Sequence, residues 1–153
     1  MTHTQSPIQT AKDSHNMGWE LFAHDADIGV RGYGASLAEA FENAALAMTA
    51  TMTDPRSVEA RTMLKVQCTA PSNDILLYEW LNAIVFEMAT KSMLFCRFEV
   101  EVSNHHLIGK IFGEPIDVAK HQPAVEVKGA TLTELHVGRD HSGRWSAQCV
   151  VDV

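Results

Sequence analysis

WELFAHDADIGVRGYGASLAEAFENAALAM, residues 19–48, carries the reading on which the fold turns. It opens apolar, breaks at His24-Asp25-Ala26-Asp27 and resumes with Ile28, Val30 and Tyr33. That pattern predicts two short extended pieces around a tight turn, closed by Gly32 and Gly34. Ser36-Leu37-Ala38-Glu39 follows, a serine with a glutamate three residues on, which is a capping box that satisfies orphan amides of a first helical turn. Behind it Leu37, Phe41, Ala44, Ala45 and Met48 recur at helical spacing, so an amphipathic helix is expected over residues 36 to about 51, ended by Thr53-Asp54-Pro55.

The same reasoning extends to the rest of the chain. Residues 58–69 alternate, with Leu64, Val66 and Cys68 against Lys65 and Gln67, as in a half-buried strand. Pro71-Ser72-Asn73-Asp74 supplies caps for a second helix whose apolar stripe is Leu76, Leu77, Trp80, Leu81, Ile84, Val85 and Met88. Leu94, Cys96, Phe98, Val100 and Val102 then alternate with Phe95, Arg97, Glu99 and Glu101, Asn104-His105-His106 turns the chain, and LIGKIFGEPI returns as a partner strand. After a polar link at 117–123, two further strands are expected at 124–137 and 144–151, joined through Asp140-His141-Ser142-Gly143. Two helices serving hairpin-linked strands imply an α+β fold in two layers. Its sheet is mostly antiparallel or mixed, and its outer face is left for loops or a partner.

At 153 residues the chain suits one domain, here 18–153, preceded by a polar stretch at 1–17 that lacks the apolar core of a signal peptide and reads as a flexible tail. Lys and Arg number 12 against 19 acids, a net charge of -7, and no basic run is present; phosphate-backbone binding by the chain itself is disfavoured, so any work on RNA would pass through a partner. The three cysteines, Cys68, Cys96 and Cys149, are odd in number and far apart, which fits buried thiols in a reducing cytoplasm rather than disulfides or a zinc site. No apolar run is long enough to span a bilayer.

Two places attract chemistry. The turn His24-Asp25-Ala26-Asp27 sets two carboxylates and an imidazole between apolar strands, where carboxylates are costly unless bonded or metal-bound; turn aspartates also commonly accept backbone amides. At the other end, Val150-Val151-Asp152-Val153 continues a strand to the last residue. If Asp152 and the terminal carboxylate meet Asp27, their repulsion calls for a cation, and an all-oxygen set favours Ca²⁺, Mg²⁺ or Mn²⁺ over zinc; the alternative is a frayed end. His105-His106 reads as a solvated turn, and His121, His136 and His141 lack zinc-ligand spacing. Lys128 could contact an anion or be an ordinary surface lysine. No glycine-rich phosphate loop, nucleophile elbow or nucleophile–base pair is found.

The motifs taken together resemble the archease family. HDADIGVRGYGASLAEAFENAALAM is similar to its opening motif, and the likeness continues through DILLYEWLNAIVFEM, FEVEV…IFGEPID and KHQPAVEVKGAT to GRWSAQCVVDV, covering about Trp19 to Val153. The resemblance implies a non-catalytic, metal-binding accessory protein that activates an RtcB-type RNA ligase, promoting its guanylylation and multiple turnover in tRNA splicing and RNA repair. It further implies a metal site at Asp27, Asp152 and Val153, with calcium the expected ion and magnesium or manganese as alternatives. It also implies a transient contact with the ligase. Two departures are plain: Asp25 stands where the family commonly has threonine, and Leu132 and Thr133 stand where it often has an aromatic and a histidine. A stand-alone divalent-metal hydrolase, with His24 or Asp25 as base, and a metal-independent chaperone or interaction module are the competing readings.

Overall fold

The computed structural model describes residues 18–153, so the tail expected at 1–17 lies outside the described residues. The first hairpin forms as expected: β1 (Trp19–His24) and β2 (Asp27–Gly34) pair antiparallel, with Asp25 at the turn in the left-handed region (φ 53°) that aspartate tolerates better than most residues. Gly34 closes β2 as its last residue, whereas Gly32 lies inside the strand. At Gly32 a Cβ would stand 2.1 Å from the Ala44 amide and 2.3 Å from the Ala40 carbonyl, so the missing side chain is what lets the first helix rest directly on the strand.

That helix, α1 (Leu37–Met52), is capped by Ser36, whose hydroxyl accepts from the Glu39 amide at 3.1 Å. The reciprocal half of the box is displaced by one residue, Glu39 Oε1 accepting from the Ala35 amide at 2.8 Å. The helix α2 (Asn73–Lys91) starts from a matching cap, Ser72 Oγ on the Ile75 amide, and buries the stripe read from the sequence, from Leu76 to Met88. Trp80 is fully buried, and its indole N–H donates to the Phe41 carbonyl at 3.0 Å, pinning α2 to α1.

The fold is α+β and its sheets are antiparallel, but the expected single sheet is two. One contains β1, β2 and β8 (Trp145–Asp152), with the short strands β6 (Gly129–Ala130) and β7 (His136–Arg139) on the far side of β8. The other is β3 (Thr62–Thr69), β5 (His106–Pro115) and β4 (Met93–Ser103), with β5 in the middle. Both helices touch both sheets: α1 packs on β1, β2, β8 and β4, and α2 on strands of each. Alternation identifies the apolar face of a strand but not its neighbour, which is why the division was not legible.

Three local corrections follow. The strand expected at 58–69 starts only at Thr62, after a 3-10 turn at Pro55–Ser57. The link at 117–123 contains a one-turn helix, α3 (Val118–His121), capped by Asp117 Oδ1 on the Ala119 and Lys120 amides. The strand expected at 124–137 is broken into β6 and β7. Thr131 Oγ1 accepts from the Thr133 amide at 3.1 Å, and Glu134 takes a left-handed φ of 56°, which together turn the chain out of the ladder. Among the described residues no helix is long and apolar enough to cross a membrane.

Candidate functional site

Strand pairing brings the two ends of the described chain together. β2 and β8 run antiparallel with Ile28 opposite Val151 and Gly29 opposite Val150; one further step of that register sets Asp27 opposite Asp152. Alternation then puts both aspartates on the face away from Ile28, Val30 and Gly32, outside the helix-packed core. The Val153 amide donates to Asp27 Oδ1 at 3.3 Å, while the Val153 side chain packs with Ile28 against the core. Val153 is therefore anchored on both its amide and its side chain. On the other edge of β8, Gly129 pairs with Asp152, and the Lys128 amide donates to the Asp152 carbonyl at 2.7 Å.

All three residues predicted from the sequence thus meet at one end of the larger sheet. Asp27 is half-buried and Asp152 exposed, and among the described residues neither carboxylate forms an ion pair. No group of three His, Cys, Asp or Glu side chains able to hold a metal exists among the described residues, and this junction supplies two, Asp27 and Asp152. The two aspartates, with no ion-pair partner among the described residues, offer oxygen donors alone, whose chemistry suits a hard divalent cation better than zinc.

The other candidates fall elsewhere or play lesser parts. The Asp25 side chain is 92% exposed, with His24 Nδ1 3.8 Å away; His24 itself is 34% exposed and pairs with Asp27 across the first hairpin, so of the two it is the imidazole that borders the Asp27–Asp152 junction. Lys128 is exposed beside Asp152 through its backbone. His105 sits in the β4–β5 turn with φ 60°, and His106 Nδ1 lies 2.8 Å from Thr69 Oγ1. His136 and His141 are exposed. The thiols are free; burial pushes Cys68 up to about 11 and Cys149 up to about 12, which removes them as nucleophiles.

Sequence reasoning missed one buried polar cluster. Glu114 Oε2 accepts from Lys120 Nζ at 2.8 Å, from the Glu59 amide at 2.9 Å and from His121 Nε2 at 2.9 Å; His121 Nδ1 accepts from the Asp117 amide, which leaves Nε2 to donate. The Lys120 ammonium, the Glu59 amide and the imidazole hold the Glu114 carboxyl down at about 2. The cluster ties the end of β5 to α3 and to residues 59–61, with Thr53 Oγ1 donating to the His121 carbonyl. It is a structural clamp, and its one sequence signal was the Asp117 cap.

Comparison with known proteins identifies the family and the fold. The model of the Archease protein family (MTH1598/TM1083) matches residues 19–153. This chain belongs to the archease family. Relatives named protein archease include that of Pyrococcus furiosus, 35% identical over 139 residues, covering 88% of this chain and 98% of the relative. That of Thermococcus gammatolerans is 37% identical with the same coverage. The solution structure of Methanobacterium thermoautotrophicum protein 1598 superposes with a TM-score of 0.78 at 37% identity, over 89% of this chain and 99% of that one. The archease match starts at Trp19 and reaches Val153, so both halves of the Asp27–Asp152 junction lie inside it.

Proposed function

We propose that this protein is a metal-binding activator of an RtcB-type RNA ligase in tRNA splicing and RNA repair, not itself a catalyst. Membership of the archease family supports an accessory role in RNA processing. The observation that carries the finer reading is the meeting of Asp27, Asp152 and Val153 on an open sheet end, with no cationic side chain paired to either aspartate among the described residues. There the Asp27 and Asp152 carboxylates and the carboxylate of Val153 would hold a divalent cation, calcium first among the hard ions. A bound divalent ion would offset two of the three negative charges and offer open coordination positions to oxyanions, such as those of a ligase site that handles GTP and metal ions.

The chain's own residues supply the rest. Phe22 lies across Gly29 on the same outer face, and Arg31 stacks over Phe22 at 4.5 Å while donating to Gln148 Oε1 at 2.8 Å. These contacts stiffen the sheet behind the two aspartates, so that the acidic end is presented as a fixed feature rather than a loose tail. An activator that enters a ligase's working site must leave before ligation proceeds, so the contact is transient.

The deciding experiment is multiple-turnover RNA joining by an RtcB-type ligase with GTP and a divalent cation, with this protein substoichiometric. Stimulation that disappears in Asp27→Ala and Asp152→Ala supports the reading. Absence of stimulation by folded wild type, or full stimulation by both variants, defeats it.

A further inference from the structure

Strands β6 and β7 are two and four residues long, too short to hold their places by strand pairing alone. Each is gripped on the side away from β8 by one polar side chain of α2. For β7 the grip is Asp74 Oδ1, which accepts from the Val137 amide at 2.7 Å. For β6 it is Asn82: Oδ1 accepts from the Ala130 amide at 2.9 Å and Nδ2 donates to the Ala130 carbonyl at 3.4 Å. The carboxamide thus completes the ladder as a further strand would. Ala130 is only 7% exposed, so without Asn82 its amide and carbonyl would be left unpaired in a nearly dry place, and the strand would have to move. The fit is close, since a Cβ on Gly129 would stand 3.2 Å from Asn82 Oδ1.

What β6 does on its other side gives this grip a consequence. Gly129 pairs with Asp152, Ala130 with Val151, and the Lys128 amide holds the Asp152 carbonyl. β2 supports Asp152 from one edge, and β6 is its only support from the other among the described strands. We propose that Asn82 is a positioning residue for the cation end of the protein: through Ala130 and Gly129 it fixes the backbone that carries the Asp152 carboxylate and the terminus beyond it. This rests on the cation reading above and adds to it a residue in the middle of a helix. Asp74 performs the same service for β7 opposite Ala147, five residues up β8, about 17 Å from Asp152, and is a built-in control.

The test is calorimetric titration of the whole chain with CaCl₂, paired with backbone amide exchange by NMR, for wild type, Asn82→Ala and Asp74→Ala. Asn82→Ala is expected to weaken Ca²⁺ binding about tenfold or more, the range seen when a supporting partner of a metal ligand is removed. It should also speed exchange at Lys128 and Thr131 while the amides of β4 and β5 stay protected. Asp74→Ala should speed exchange at Val137 and leave the affinity unchanged. Gly129→Ala presses on the same contact from the strand side and takes the place of Asn82→Ala should that variant not fold. Unchanged affinity in Asn82→Ala, or equal weakening in Asp74→Ala, overturns the proposal while leaving the cation site standing. Wild type that takes up no Ca²⁺ overturns the cation reading itself, and the positioning role with it.

Discussion

The Val153 amide donates to Asp27 Oδ1 at 3.3 Å across 126 positions of sequence, so the first hairpin and the last residue form one unit. The bond orients the Val153 main chain toward a carboxylate, and on the reading proposed above the next group along that main chain is its own carboxylate. A chain lengthened beyond Val153 by a short Gly-Ser tail replaces that anion with a neutral amide and adds bulk beside Asp27. Such a chain should keep its fold and melting temperature but lose Ca²⁺ uptake and stimulation of the ligase. Full activity in the lengthened form would remove the terminal carboxylate from the site.

Asp152→Asn separates charge from shape at the same junction. In the metal-free chain it relieves repulsion with Asp27 across the strand pair, where like charges directly opposite are destabilising, so stability should be equal to or slightly above wild type. With Ca²⁺ the order inverts. A site filled at about 100 times its dissociation constant stabilises the wild type by about 2.7 kcal/mol, and the variant should show none of that rise. Melting curves with EDTA and with excess Ca²⁺ read both effects, and a variant that still gains stability from Ca²⁺ would contradict the assignment of Asp152.

Acid should find the clamp at Glu114. Its carboxyl is held at about 2, below the ordinary 4.5, by Lys120, the Glu59 amide and His121, so the unfolded chain takes up this proton more readily than the folded one. The stabilisation is therefore complete above pH 4.5 and is lost as pH falls from there towards 2. Glu114→Gln should lower the melting temperature at pH 7, and the gap from wild type should narrow over that acid range. A constant gap down to pH 2.5 would show that the carboxylate charge is not what holds α3.

Much of this is legible in the sequence alone. Ser36 and Ser72 announce both main helices because a capping hydroxyl has few other uses ahead of an apolar 3.6-residue period, and both caps formed. Asp27 and Asp152 were legible as a pair through the hairpin turn, the terminal strand and the family likeness, and β2–β8 pairing brings them face to face. The split of the sheet was not, since Leu64 and Phe98 declare an apolar face without naming the strand beside them. Nor was the break between β6 and β7, which depends on the Thr131 hydroxyl turning back on the Thr133 amide. Asn82 was illegible for a different reason: a polar residue next to Leu81 reads as the solvated edge of an amphipathic stripe, and its partner Ala130 carries no pattern at all.

Gly32→Ala tests the packing on which the site stands. The added methyl would lie 2.1 Å from the Ala44 amide and 2.3 Å from the Ala40 carbonyl, both backbone atoms of α1 that cannot rotate aside. The helix must lift from β2 or the strand must bow, at a cost of about 1–3 kcal/mol or more, as for other overpacked cores. Because β2 carries Asp27 at one end and meets α1 at Gly32, a bowed strand should also shift Asp27 against β8 and weaken Ca²⁺ binding along with stability. A lifted helix would lower stability and leave the ion bound. Urea unfolding and Ca²⁺ titration of the one variant therefore report which element yields, and a variant as stable as wild type would show that α1 does not rest on Gly32 as described.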